Sequence, residues 1–111
     1  MGQLKIYLEE AYEPANGNHA FGDMIVKGPA QIITVLMANI VAANNKLKLQ
    51  QSADGSNYDD IADSEVTIAA AQTSQSWNLY GLPRGASVRV YLTAGTNETG
   101  TIEQIKMLTD E

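Results

Sequence analysis

The sequence predicts an all-β chain: an antiparallel β-sandwich, jelly-roll-like, of about seven or eight strands with an N-terminal arm. Three features carry that expectation. Leu47–Ile61 reads as a strand, a tight Asp54-Gly55 turn and a second strand. Ser87–Thr93 alternates, with Val88, Val90 and Leu92 on one side and Arg89, Tyr91 and Thr93 on the other. The remaining apolar runs are short and set apart by Gly, Pro and Asn, the residues that turn a chain.

The elements follow in order. Leu4, Ile6 and Leu8 alternate with Lys5 and Tyr7, the pattern of a first strand. Residues 9–31 lose periodicity around Pro14, Asn16-Gly17-Asn18 and Gly22, apart from a short strand near Met24-Ile25-Val26. Gln31–Ala43 is apolar on both faces, and its Ile, Val and Thr content favours strand over helix. Lys46–Gln50 resumes alternation after Asn44-Asn45, so these two segments read as a hairpin. Tyr58–Ile61 and Val66–Ile68 are further short strands, and Ala69–Ser76 reads as a loop. Ser76–Tyr80 is another strand, carrying Trp77 and Leu79. Gly81–Gly85 is a turn, Gly95–Gly100 a hairpin loop and Thr101–Leu108 the last strand. The organisation expected is an N-terminal strand and extended arm over 1–30, then a sandwich domain over 31–111.

Composition narrows the function. The chain has 111 residues and a formal charge of −6, with seven Lys/Arg spread singly. That disfavours nucleic acid and anionic membrane as partners. It has no cysteine, which removes disulfides, thiolate zinc and thiol catalysis. The apolar stretch Ile32–Ala43 is too short to span a bilayer, and the first residues lack the pattern of a signal peptide, so a soluble chain is expected.

No catalytic constellation emerges, and the chain reads as a non-enzyme that needs no cofactor. Asp54, Asp59, Asp60, Asp63 and Glu65 crowd one region, but their spacing does not match a helix–loop–helix calcium loop. They read as a solvated hairpin rim. Asp59 and Asp60 are adjacent, so a strand sends them to opposite faces and they do not form a glycosidase pair. His19 stands alone and reads as a loop histidine. Trp77 reads as core or as a subunit seam. With Tyr80 it is alternatively a platform for a sugar ring. Ile6, Tyr7, Leu8, Tyr12 and Phe21 are aromatic and aliphatic anchor types, expected to bind a partner from the arm.

Two stretches carry a resemblance. Leu47-Lys-Leu-Gln-Gln-Ser-Ala-Asp-Gly-Ser, followed by Asp60-Ile-Ala-Asp-Ser-Glu-Val, resembles a family of small tailed-phage virion proteins. Ala86-Ser-Val-Arg-Val-Tyr-Leu-Thr and Thr99-Gly-Thr-Ile continue it, so that it covers residues 31–108. The resemblance implies a capsid decoration or cement protein. Such a protein is made in the host cytoplasm and carried on the virion. It bridges major capsid subunits and associates with itself as a homo-oligomer. The same Ser-x-Asp-Gly turn and Val-Arg-Val strand also resemble discoidin-type carbohydrate-binding sandwiches, which implies a carbohydrate-binding β-sandwich module as the alternative.

Overall fold

The computed structural model describes residues 3–41, 44–95 and 99–110. Among them are ten strands and a single 3-10 turn at Pro14–Asn16. The strands are β1 (Gln3–Leu8), β2 (His19–Ala20), β3 (Met24–Ile25), β4 (Ala30–Ala38), β5 (Lys46–Ser52), β6 (Asp59–Asp60), β7 (Val66–Thr67), β8 (Ser74–Tyr80), β9 (Ser87–Thr93) and β10 (Thr101–Asp110).

Period-two patterning decides which side of each strand is buried. Ile33, Val35 and Met37 of β4 point inward, as do Leu47 and Leu49 of β5, Val88, Val90 and Leu92 of β9, and Ile102, Ile105 and Met107 of β10. Two layers bury these rows against each other. One sheet runs β1-β10-β4-β8; the other runs β2-β9-β5-β6, with β3 extending the β2 edge along β9 and β7 the β6 edge along β5. All pairings are antiparallel. This is jelly-roll order. The strand count exceeds the expected seven or eight because both outer positions of the second sheet are split, β2 from β3 and β6 from β7.

The expected hairpin between Gln31–Ala43 and Lys46–Gln50 does not form. β4 pairs with β10 and β8, and β5 pairs with β9, so the chain crosses from one layer to the other between them. β4 ends at Ala38; Asn39 takes φ 60° and Val41 is exposed. Gly100 fixes this end of the sandwich. Its φ is +108°, and a Cβ there would stand 2.7 Å from Ile40 Cδ1 and 2.9 Å from the Ala38 carbonyl oxygen. The loop expected at Gly95–Gly100 lies partly outside the described residues.

The separate arm expected over 1–30 is also corrected. β1 is hydrogen-bonded along β10 as the edge of the first sheet, and Tyr12 prolongs that edge by exchanging two 2.8 Å backbone bonds with Ile102. β2 and β3 lie on β9. Residues 3–30 are therefore part of the sandwich, and the core includes their Phe21, Met24 and Val26. A segment with no periodicity still enters a core when single side chains, set between turns, plug the open edges of two layers.

Asp54-Gly55 lies where the chain reverses between β5 and β6, but the connection is a loop over 53–58 and not the tight two-residue turn expected. Gly55 has φ +77°. The Asp54 carboxylate accepts the backbone N–H groups of Ser56 and Asn57 and the Asn57 side-chain amide, at 2.8–2.9 Å. Those bonds hold its carboxyl well below the usual carboxylate range, the Asn57 N–H contributing most. The loop is a self-contained knot, and β6 returns along Gln50 and Gln51.

Candidate binding face

The two sheets turn different outer faces to solvent. On the β9/β5 side the side chains bind one another. Arg89 Nε donates to Gln50 Oε1 at 2.8 Å, and its guanidinium stacks 3.8 Å from the Tyr58 ring centre. Gln50 Nε2 and Lys48 Nζ both donate to the Asp60 carboxylate at 3.0 Å. These two bonds, Gln50 first, lower the Asp60 pKa. The Tyr58 hydroxyl donates to Asp23 Oδ2 at 3.0 Å; burial, and then that bond, raise its pKa.

The outer face of the first sheet is different. Its strands present Lys5 and Tyr7 from β1, Lys106 and Leu108 from β10, Ile32, Thr34 and Leu36 from β4, and Ser76, Asn78 and Tyr80 from β8. Register places them in rows: Tyr7–Lys106–Thr34–Ser76, and beside it Lys5–Leu108–Ile32–Asn78. Tyr80 is 77% exposed, Tyr7 50% and Ile32 44%. A shallow groove of about 280 Å³ runs along Tyr7, Ile32, Leu36 and Leu108, flanked by Lys5 and Lys106. The polar links here are few: Thr34 Oγ1 and Ser76 Oγ lie 2.8 Å apart, and Gln104 Nε2 donates to Glu9. From Tyr7 to Tyr80 the face spans three strand spacings and four residues of strand, roughly 20 Å on the diagonal.

The residues singled out from sequence scatter across the fold. Ile6 and Leu8 point inward and pack on the core, while Tyr7 points outward. A strand sends neighbours to opposite faces, so these three never formed one surface. Phe21 is 2% exposed and belongs to the core. Tyr12 is half-buried, stacked 4.1 Å from the His19 ring at an interplanar angle of 11°, with its hydroxyl donating to the Gly17 carbonyl. His19 Nε2 is 2.5 Å from Glu10 Oε2, and Glu10 Oε1 accepts the Gly22 N–H at 3.0 Å. Glu10, Tyr12, His19 and Phe21 thus form a clasp that fastens the β2 edge. Of the five expected anchors, only Tyr7 stands on the exposed face.

Trp77 is core: its indole N–H donates to the Ser64 carbonyl at 2.8 Å. It cannot share a platform with Tyr80, since three residues of strand separate them and put them on opposite faces. That parity was available from sequence. Ile32 and Leu36 belong to the segment whose two apolar faces imply one packed on the core and one free for a subunit or the arm; Leu108 carries no such mark in the sequence, and among the described residues the sheet order leaves all three without a covering layer. Among the described residues, no three His, Cys, Asp or Glu side chains converge as a metal site, and no helix is long and apolar enough to cross a membrane.

No protein-family model matches the chain, and no curated protein matches it. Solved structures do share its fold. A chain from Bacillus endospore appendages, which form a family of disulfide-linked pili, superposes with a TM-score of 0.53 at 14% identity, over 97% of this chain and 86% of that one. The C-terminal CBM6 of LamC from Zobellia galactanivorans gives 0.52 at 11% identity, over 96% and 98%. TmCBM61, solved with β-1,4-galactotriose, gives 0.50 at 12% identity, over 97% and 70%. The chain is a β-sandwich of the architecture found in carbohydrate-binding modules and in a pilus protein.

Proposed function

We propose that this chain is a non-catalytic carbohydrate-binding module whose platform is the outer face of the β1-β10-β4-β8 sheet. The observation that carries the reading is the pair of exposed rings, Tyr7 and Tyr80, on one sheet face. Between them stand the Thr34 and Ser76 hydroxyls, the Asn78 amide and the Lys106 ammonium. Recognition of a flat, hydroxyl-rich ring uses apolar and aromatic surface for contact area and a few placed polar groups for orientation. A surface strip roughly 20 Å long suits an extended chain of several sugar units, bound without catalysis. The shared architecture with two carbohydrate-binding modules supports the reading.

The test is binding of soluble β-1,4-galactan and β-1,3-glucan by calorimetry and affinity electrophoresis. The wild-type chain should be retarded by at least one polysaccharide. Tyr7→Ala with Tyr80→Ala should weaken that binding about tenfold or more, because truncating an aromatic anchor removes most of its contact energy. Binding unaffected by the double substitution would move the site elsewhere. No binding across a broad glycan panel would remove the proposal.

A second reading is favoured by the aliphatic floor of the groove, Ile32, Leu36 and Leu108, which suits a protein surface better than a sugar. It is the capsid decoration role, with the major capsid protein as partner. A disulfide-linked assembly is closed to this sequence, which has no cysteine. Cosedimentation with purified phage shells, together with absence of glycan binding, would favour this reading over the first.

A further inference from the structure

The first sheet ends in an unguarded strand. Met37 N–H bonds to the Thr73 carbonyl at 2.9 Å and Gly81 N–H to the Pro29 carbonyl at 3.1 Å. Antiparallel register between these points turns residues 73, 75, 77 and 79 toward β4. The peptide groups of Ser74, Ser76, Asn78 and Tyr80 therefore face away from the sheet. Among the described residues no strand pairs with β8 on that side. Two glutamine amides occupy part of the row: Gln72 Nε2 donates to the Ser74 carbonyl at 2.8 Å, and Gln75 Nε2 to the Ser76 carbonyl at 3.2 Å. They do for two carbonyls what a neighbouring strand would do for all four.

Free edges are normally blocked by charge, proline or a break, because an open strand templates another. The other edges here are blocked. β1 carries Lys5 and leads into Glu9, Glu10 and the Pro14 turn, while the second sheet has split edges at β2/β3 and β6/β7. β8 has seven residues with neither charge nor proline. It lies within a run, 66–83, that holds no Asp, Glu, Lys or Arg. β4 beside it lies in another such run, 28–45. In a chain of net charge −6, β8 itself brings no like charge to a second copy, and the nearest acids, exposed Asp63 and Glu65, lie in the other layer beside Ser64, to which Trp77 bonds.

We propose that β8 is a self-association edge whose occupant is β8 of a second copy, antiparallel about a two-fold axis at Trp77. In this register Ser76 of one copy faces Asn78 of the other, and Ser74 faces Tyr80. About eight main-chain bonds close the open row, and the two first sheets join into one continuous eight-stranded sheet. The two outer faces become one surface, so two ligand platforms, or two partner sites, act from one rigid body. The proposal does not depend on which ligand that face takes.

The test measures mass by sedimentation velocity and amide exchange by NMR on the full chain. The wild-type protein should shift from monomer toward twice that mass as concentration rises from roughly 10 µM to 1 mM, the range of a small interface. Amide exchange at Ser76, Asn78 and Tyr80 should slow over the same range. Ser76→Lys with Asn78→Lys sets lysine opposite lysine at both central pairs and should weaken association at least tenfold. Ser76→Glu with Asn78→Lys sets a glutamate opposite a lysine at both pairs in this register and should restore it. Both positions are exposed, and far-UV circular dichroism with thermal melting checks that each variant folds. A wild-type monomer at every concentration overturns the proposal. So does a dimer untouched by the two lysines, or a Glu/Lys variant that stays monomeric beside a dimeric wild type. If a variant does not fold, the exchange data on the wild type decide: rates at these amides that do not change with concentration overturn it.

Discussion

The two outer faces of this sandwich rest on the same kind of core yet are built to different ends. On the β9/β5 face, Lys48, Asp60, Gln50, Arg89, Tyr58 and Asp23 form a connected chain of hydrogen bonds and one stacked cation. Their polar groups are already partnered, and a ligand would have to displace those partners. On the β1/β10/β4/β8 face, tyrosines and aliphatic side chains stand exposed with few lateral bonds, and the sheet ends in an open strand. One surface is knit together by its own side chains; the other leaves its apolar and aromatic side chains exposed. Function in a jelly roll resides in such surfaces and not in the fold, which explains how one architecture serves pili and carbohydrate-binding modules alike.

The largest test of this contrast uses adjacent residues of β4. Ile33 is fully buried and Ile32 is 44% exposed. Ile33→Ala should cost about 2–5 kcal/mol, through lost transfer energy and a residual cavity. Ile32→Ala should cost under about 1 kcal/mol, since the exposed part of its side chain gains little from folding. Chemical denaturation of both variants reads the difference directly. Equal costs would mean that the outer face of β4 is covered, and the binding face would have to be abandoned.

A smaller effect separates the two outer faces themselves. Arg89→Ala removes a half-buried guanidinium stacked on Tyr58 and bonded to Gln50, so it should cost about 1 kcal/mol of stability and leave ligand binding unchanged. A drop in glycan binding with Arg89→Ala, at unchanged stability, would transfer the site to the β9/β5 face.

How far the sequence disclosed all this follows from what alternation can encode. It reports which side of a strand is buried, so the inward rows of β5 and β9 and the chain reversal at Asp54-Gly55 were legible. It does not report which strand lies alongside, and so it cannot show that β4 and β5 lie in opposite layers and form no hairpin. In a jelly roll, strands adjacent in sequence often lie in opposite layers. Phe21 reads from sequence as an arm residue because a single aromatic between turns has no period to declare its burial. Tyr7 was grouped with Ile6 and Leu8, and Trp77 with Tyr80, by chemical type. Strand parity alone would have separated both groups. The open edge of β8 could not be read at all, since an edge is defined by the sheet's order.

The smallest expected effect is on pH response, and it concerns only the finished face. The Asp60 carboxyl titrates below its ordinary value of 3.8, because Gln50 and Lys48 donate to its charged form. A carboxyl depressed on folding adds stability that is fully present above the unfolded value. That stability is lost as pH falls below 3.8 and through the folded value. Asp60→Asn keeps an acceptor for Gln50 but gives up the charge that Lys48 binds. Its melting temperature should sit slightly below wild type at pH 7, and the gap should close as pH falls below 3.8. Salt should narrow the gap at pH 7 as well, since both partners are solvent-accessible. A gap that stays constant across pH and salt would mean that Asp60 acts through shape and not charge. The lateral network would then not be what distinguishes this face. Tyr80 stands on the other sheet and takes part in none of these bonds. Tyr80→Ala should therefore follow the wild-type acid curve throughout, and a departure below pH 3.8 would show that the two faces are coupled through the core.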